Sequence, residues 1–320
     1  MRLDAALPLA LLSFVIAGPS TAQQGAPLEP LGARTFHVSG RGQLGFAAVS
    51  AGLCVLDLSR EAAPQTLSIV PLPQSATYTL PIAGTVWVTQ GPAGLYAIDV
   101  SDPRNPAVVS HADTPGSAMM AALSGDLLAV ADGSVGVCLF DVHDPREPAP
   151  RGTLRLEGYC RGIGFFSSAL YACAGTRGLV AIDTSRPEDP RIVAVCRTAG
   201  DARDIAFLGT IAVVADGRYG LSVVDLSEPR APRLVATRAV PDFAHGVAAG
   251  GGIIYSAEGV EGVGVYRFAA DSLELVSRAQ TAGGYANKVT VLGNRLLVAN
   301  DVKGVAVFDL ADPTRPAPAR

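Results

Sequence analysis

The chain has 320 residues, 49% of them hydrophobic, with 35 glycines, 23 prolines and a formal net charge of −4. So apolar a composition excludes a disordered chain, and so many turn formers argue against a helical one. The mixed, slightly acidic charge argues against a general nucleic-acid surface, because phosphate binding needs a basic excess or stripe.

The N-terminus reads as a signal peptide. Arg2 supplies the positive charge, and residues 5–18 form an apolar run of signal length. Ser20-Thr21-Ala22 offers small residues for cleavage after Ala22. Residues 1–22 are therefore expected to be removed. A secreted or periplasmic domain of residues 23–320 would remain, with no membrane insertion after cleavage. Five cysteines follow: Cys54, Cys138, Cys160, Cys173 and Cys196. None has metal-ligand spacing. Cys160 and Cys173 are expected on neighbouring strands of one hairpin, where a disulfide is conceivable in an oxidising compartment.

The rest of the chain is periodic. GLCVLDLSRE (52–61), GLYAIDVSDP (94–103), GVCLFDVHDP (136–145), GLVAIDTSRP (178–187), GLSVVDLSEP (220–229), GVGVYRFAAD (262–271) and GVAVFDLADP (304–313) align without gaps. The leading glycine recurs every 42 residues. Asp follows five residues later at 57, 99, 141, 183, 225 and 309, with Arg267 replacing it in the sixth copy. The glycine suits a turn that needs positive φ, and the apolar residues after it suit a short buried strand. The Asp carboxylate can accept hydrogen bonds from free N–H groups of the turn that ends the strand. In the fifth copy four strands are expected at about 203–208, 211–215, 221–226 and 233–238. Four short antiparallel strands per repeat predict an all-β, seven-bladed β-propeller. The last copy stops at Arg320, before a fourth strand is expected to form. Segment 26–34 is therefore expected to complete blade seven and close the ring.

The G-L-x-V-x-D-[LV]-S-x-P pattern of these copies resembles the LVIVD-repeat family over essentially the whole mature chain. That resemblance implies an extracytoplasmic bacterial or archaeal propeller, usually without an assigned activity. It carries no catalytic motif to transfer.

Because the repeated residues explain the scaffold, a site is sought where the copies disagree. Ahead of the first strand of each blade, one arc is polar: Arg161, Arg203, Asp204, His245, Asn287 and Lys288, with Asp216 and Glu258 nearby. Tyr159, Phe243 and Tyr285 lie just upstream. The opposite arc is apolar: Phe36, Tyr78, Met119 and Met120. Such a face suits an amphipathic or anionic ligand, with Arg161 and Arg203 gripping a carboxylate or phosphate and Tyr78 lining the apolar side. His245 is the one general-base candidate. The other histidines, His37, His111 and His143, are not expected at equivalent face positions, so a metal centre is not expected. No cofactor motif is present. The leading expectation is a monomeric module binding a small molecule or protein partner at the channel mouth. The alternative is an enzyme of lyase or lactone-hydrolase type using His245 with Arg161, Arg203 or Glu258. A deep pocket joining His245 to a second polar group would favour the enzyme, and a self-paired rim would favour binding.

Overall fold

The computed structural model describes residues 33–60 and 64–319. These form seven four-stranded antiparallel sheets arranged as the blades of a β-propeller, and no helix. The expected signal peptide and its cleavage site lie outside the described residues.

Blade five is made of Asp204–Leu208, Ile211–Ala215, Leu221–Asp225 and Arg233–Arg238, each within a residue of its expected position. The repeated glycines all have positive φ, for example +84° at Gly220. A Cβ on Gly220 would lie 2.1 Å from the carbonyl oxygen of Arg238, so the turn requires glycine on both counts. All six repeated aspartates cap the turn after the third strand. Each Oδ1 accepts from the backbone N–H two residues on, at 2.8–3.0 Å.

The apolar core is divided among the gaps between blades. Each gap holds one cluster, such as Leu139, Ile163, Leu170 and Ile182 between blades three and four. The blades are also stitched by single antiparallel bridges, Gly133 to Cys160, Gly175 to Ala202, Gly217 to Ala244 and Gly259 to Ala286 among them. Ring closure uses the same device, with Thr35 of blade one bridging Asp301 of blade seven. Asn287 Nδ2 adds a hydrogen bond to the Thr35 carbonyl at 3.0 Å, and Thr290 Oγ1 one to the Val38 carbonyl at 2.7 Å.

Blade seven corrects one expectation. The last copy does form a fourth strand, Ala317–Pro318, which pairs with Phe308 and Asp309. Of the segment expected to complete this blade, residues 26–32 lie outside the described residues. Ala33 packs in the cluster between blades seven and one, and Arg34 pairs with Asp301 at 2.7 Å.

All five cysteines are free and buried. Cys160 lies in the cluster between blades three and four, Cys173 in that between blades four and five. They occupy opposite faces of one sheet because a register shift after Cys160 leaves it opposite Ala174, while Cys173 faces Gly162. The conceivable Cys160–Cys173 disulfide is absent, and both thiols are free.

Candidate functional site at the channel mouth

In blades three to seven the residue after the bridge position lies at the channel mouth. Around blades four to six these residues are Arg161, Arg203 and His245. Two residues earlier stand Tyr159, Asp201, Phe243 and, in blade seven, Tyr285. The two sets interlock into one ladder. Arg161 lies over the Tyr159 ring at 4.5 Å and pairs with Asp201 at 3.2 Å. Arg203 binds the other oxygen of Asp201 at 2.9 Å and lies over Phe243 at 4.6 Å. Phe243 packs on His245 with centroids 4.6 Å apart, and His245 Nε2 shares a 2.6 Å hydrogen bond with the Tyr285 hydroxyl. At the other end the Tyr159 hydroxyl meets Met119 Sδ at 3.7 Å.

This ladder fixes side chains that would otherwise cost rotamer entropy to immobilise on binding. One carboxylate serves two guanidiniums, so the Arg161–Asp201–Arg203 group keeps a positive charge. Both arginine side chains remain 28% exposed. Burial, then the neighbouring Arg203, pushes the His245 pKa down to about 4, against the opposing pull of Asp242. His245 is thus a neutral ring near pH 7, with its Nε2 already engaged.

Other candidates sit elsewhere. Asp204 and Lys288 lie one step down the channel and pair at 2.7 Å. They line a cavity of about 180 Å³ with Tyr78, Met120 and His37. His245 does not line it. Asn287 is spent on closing the ring. Glu258 does not reach the mouth. It is fully buried, accepting from the Tyr266 hydroxyl and Arg278 Nη1, both at 2.6 Å. Asp216, also fully buried, accepts from Thr198 Oγ1, the Gly200 N–H and Ser222 Oγ, each at 2.8 Å. These two carboxylates hold loops together.

Sequence reasoning missed Asp201 and His37. Asp201 carried a signal, since the equivalent positions of blades four, six and seven are the aromatic Tyr159, Phe243 and Tyr285. His37 was set aside for its offset position, yet it lies in the channel stacked on Tyr78 at 3.9 Å. Its Nδ1 accepts from the Thr79 N–H at 3.2 Å, which places the proton of the neutral ring on Nε2. Among the described residues no group of three or more His, Cys, Asp or Glu is placed to hold a metal ion.

Fold and site together define a seven-bladed β-propeller with a pre-assembled polar face, the scaffold of a binding or interaction module. The chain carries LVIVD repeats, the family model matching residues 86–114, 199–238 and 283–318. Solved structures share the fold. A putative 6-phosphogluconolactonase from Bacteroides uniformis superposes with a TM-score of 0.73 at 14% identity, over 89% of this chain and 94% of that one. U3-55K gives 0.69 at 11%, over 87% and 96%. BamB from Moraxella catarrhalis gives 0.60 at 18%, over 84% and 82%. No curated protein sequence matches the chain.

Proposed function

We propose that the protein is an extracytoplasmic binding module that takes an anionic group of its ligand or partner on Arg161 and Arg203. The observation that carries this reading is the sharing of Asp201 by the two guanidiniums. It orients both and neutralises only one. A planar guanidinium held over an aromatic ring offers its remaining N–H donors to a carboxylate or phosphate without further ordering. The apolar N-terminal run at residues 5–18 supports an address outside the cytoplasm. The enzyme alternative is supported less: Arg203 stays beside His245, but Glu258 is enclosed elsewhere and His245, its Nε2 bonded to Tyr285, does not line the channel cavity.

The test is a thermal-shift series against simple carboxylates and phosphates, with the parent protein and an Arg161→Ala/Arg203→Ala double variant. The parent is expected to gain stability with at least one class of anion, and the variant to lose that gain while melting normally by itself. Equal gains in both proteins would overturn the assignment.

A further inference from the structure

The channel-mouth face carries a second feature, outside the arginine ladder. Among the described residues, the large apolar side chains exposed on this face are Tyr219 at 62%, Val260 at 64% and Val302 at 53%. All three lie at the tip of the same loop, between second and third strands, in blades five, six and seven. The tips in blades two to four are Pro92-Ala93, Ser134-Val135 and Thr176-Arg177. None of those presents an exposed large apolar side chain. The repeat scaffold does not require exposed apolar residues there, because the tips of blades two to four do without them.

The tips and the ladder are one surface. In the loop of blade five, the absent side chain of Gly217 leaves room for Phe243; a Cβ there would lie 3.0 Å from the ring. Gly259 does the same for Tyr285 in the next blade, also at 3.0 Å. Val260 follows Gly259 directly, and Tyr219 stands two residues after Gly217. The rings of the ladder therefore pack against the loops whose tips carry Tyr219 and Val260.

We infer that the partner is a polypeptide segment that sets an acidic side chain on Arg161 and Arg203 and lays flanking apolar side chains across Tyr219, Val260 and Val302. This rests on the anion-binding reading above and gives it a partner class. A small anion would satisfy the arginines and leave three exposed apolar tips with no role. A purely apolar partner would leave the unneutralised guanidinium charge buried and unmatched. A segment carrying both chemistries matches both parts of the surface, and the rigid ladder keeps the ordering cost low.

The test uses random twelve-residue peptides displayed on phage and selected on the immobilised full chain. The enriched peptides are then synthesised and titrated by fluorescence polarisation. They are expected to place Asp or Glu beside apolar residues. Their affinity is expected to fall about tenfold or more with Arg203→Ala, and again with a Tyr219→Ser/Val260→Ser variant. Replacing the peptide Asp or Glu by its amide should cost a similar factor, while Ser134→Ala in the equivalent loop of blade three should cost nothing. Peptides that bind the Tyr219→Ser/Val260→Ser variant unchanged but still need the arginines overturn the polypeptide assignment and leave the anion site standing. Peptides indifferent to Arg161 and Arg203 overturn both. No enrichment over an Arg161→Ala/Arg203→Ala/Tyr219→Ser/Val260→Ser protein, or a response only to simple anions, also overturns the polypeptide assignment.

Discussion

Lys288 Nζ of blade seven reaches Asp204 Oδ2 of blade five at 2.7 Å, passing over the innermost strand of blade six. The crossing is possible because blade six places Gly246 at this level. A Cβ on Gly246 would lie 2.7 Å from Lys288 Cδ and 3.1 Å from Asp204 Oδ2. The same Asp204 oxygen accepts the Val247 N–H at 3.0 Å. Three blades are thus tied at the channel by one carboxylate oxygen. Asp204→Ala is expected to cost about 3 kcal/mol, because it strands a largely buried ammonium and an N–H together. Gly246→Ala should cost less, about 1–2 kcal/mol, since a flexible lysine stem can move aside. Urea unfolding of the two variants checks both the sizes and the order.

Blade six contains a second dependence on a missing side chain. At the start of the loop after the second strand, blades three, five and six carry the buried acids Asp132, Asp216 and Glu258. Six residues on stand Cys138, Ser222 and Gly264. Cys138 Sγ and Ser222 Oγ donate to their aspartates at 3.4 and 2.8 Å. Glu258 is one methylene longer, and glycine makes the room. A Cβ on Gly264 would sit 2.3 Å from Glu258 Oε1 and 2.5 Å from the Tyr266 ring. Glu258 cannot retreat, being held by Tyr266 and Arg278. Gly264→Ala is therefore expected to destabilise by about 2–3 kcal/mol although its φ is ordinary for any residue. Glu258→Asp should relieve part of that loss in the double variant. Arg278→Ala, which leaves the buried carboxylate without its cation, should cost about 3–5 kcal/mol. Thermal or urea denaturation of the set is the measurement, and additivity of the two substitutions would contradict the packing argument.

Thiol counting separates a reduced propeller from one with a disulfide. Every cysteine is buried, and burial raises the Cys54 and Cys138 thiols to about 12. Such thiols are protonated and inaccessible at neutral pH, so the folded protein should react negligibly with Ellman's reagent. In denaturant without reductant all five should titrate. A count of three would mean that one pair is oxidised.

The fold was legible because it is written seven times. Glycine, aspartate and the apolar strand between them each answer a local demand, so their period reports the blade directly. Blade seven was misjudged because a strand of two residues, Ala317–Pro318, leaves no apolar pattern to read. The site was half legible. Breaks in the repeat pointed to Arg161, Arg203 and His245, which do share one ladder. Depth was not legible, because a first strand alternates between mouth and channel. Lys288 follows Asn287 by one residue yet lies a level lower. Glu258 was misplaced for a related reason. A loop residue beside the mouth can still point into the blade, and only the presence of Tyr266 on the next strand and Arg278 on the one after decides it.

The histidines give the pH dependence its sign. His245 has its pKa lowered from 6.5 to about 4, burial being the larger cause and Arg203 the next, with Lys288 acting in the same sense and Asp242 against it. His37 is lowered well below 6.5 by burial and by Lys288. Both groups are harder to protonate folded than unfolded. Their contribution is complete above pH 6.5 and is lost as the pH falls towards the folded values. The unfolding free energy is therefore expected to decline between pH 7 and pH 5, before the capping aspartates, whose pKa values are lowered by their turn hydrogen bonds, begin to protonate. His245 should account for about 1 kcal/mol of the decline at pH 5, after allowing for the exposed side of the ring. His245→Asn should remove that share of the slope and leave the rest, and a His37→Gln/His245→Asn protein should be nearly flat over this range. Urea midpoints at pH 7, 6 and 5 measure it. A parent protein equally stable at pH 5 and pH 7 would show that neither ring is held neutral by the fold.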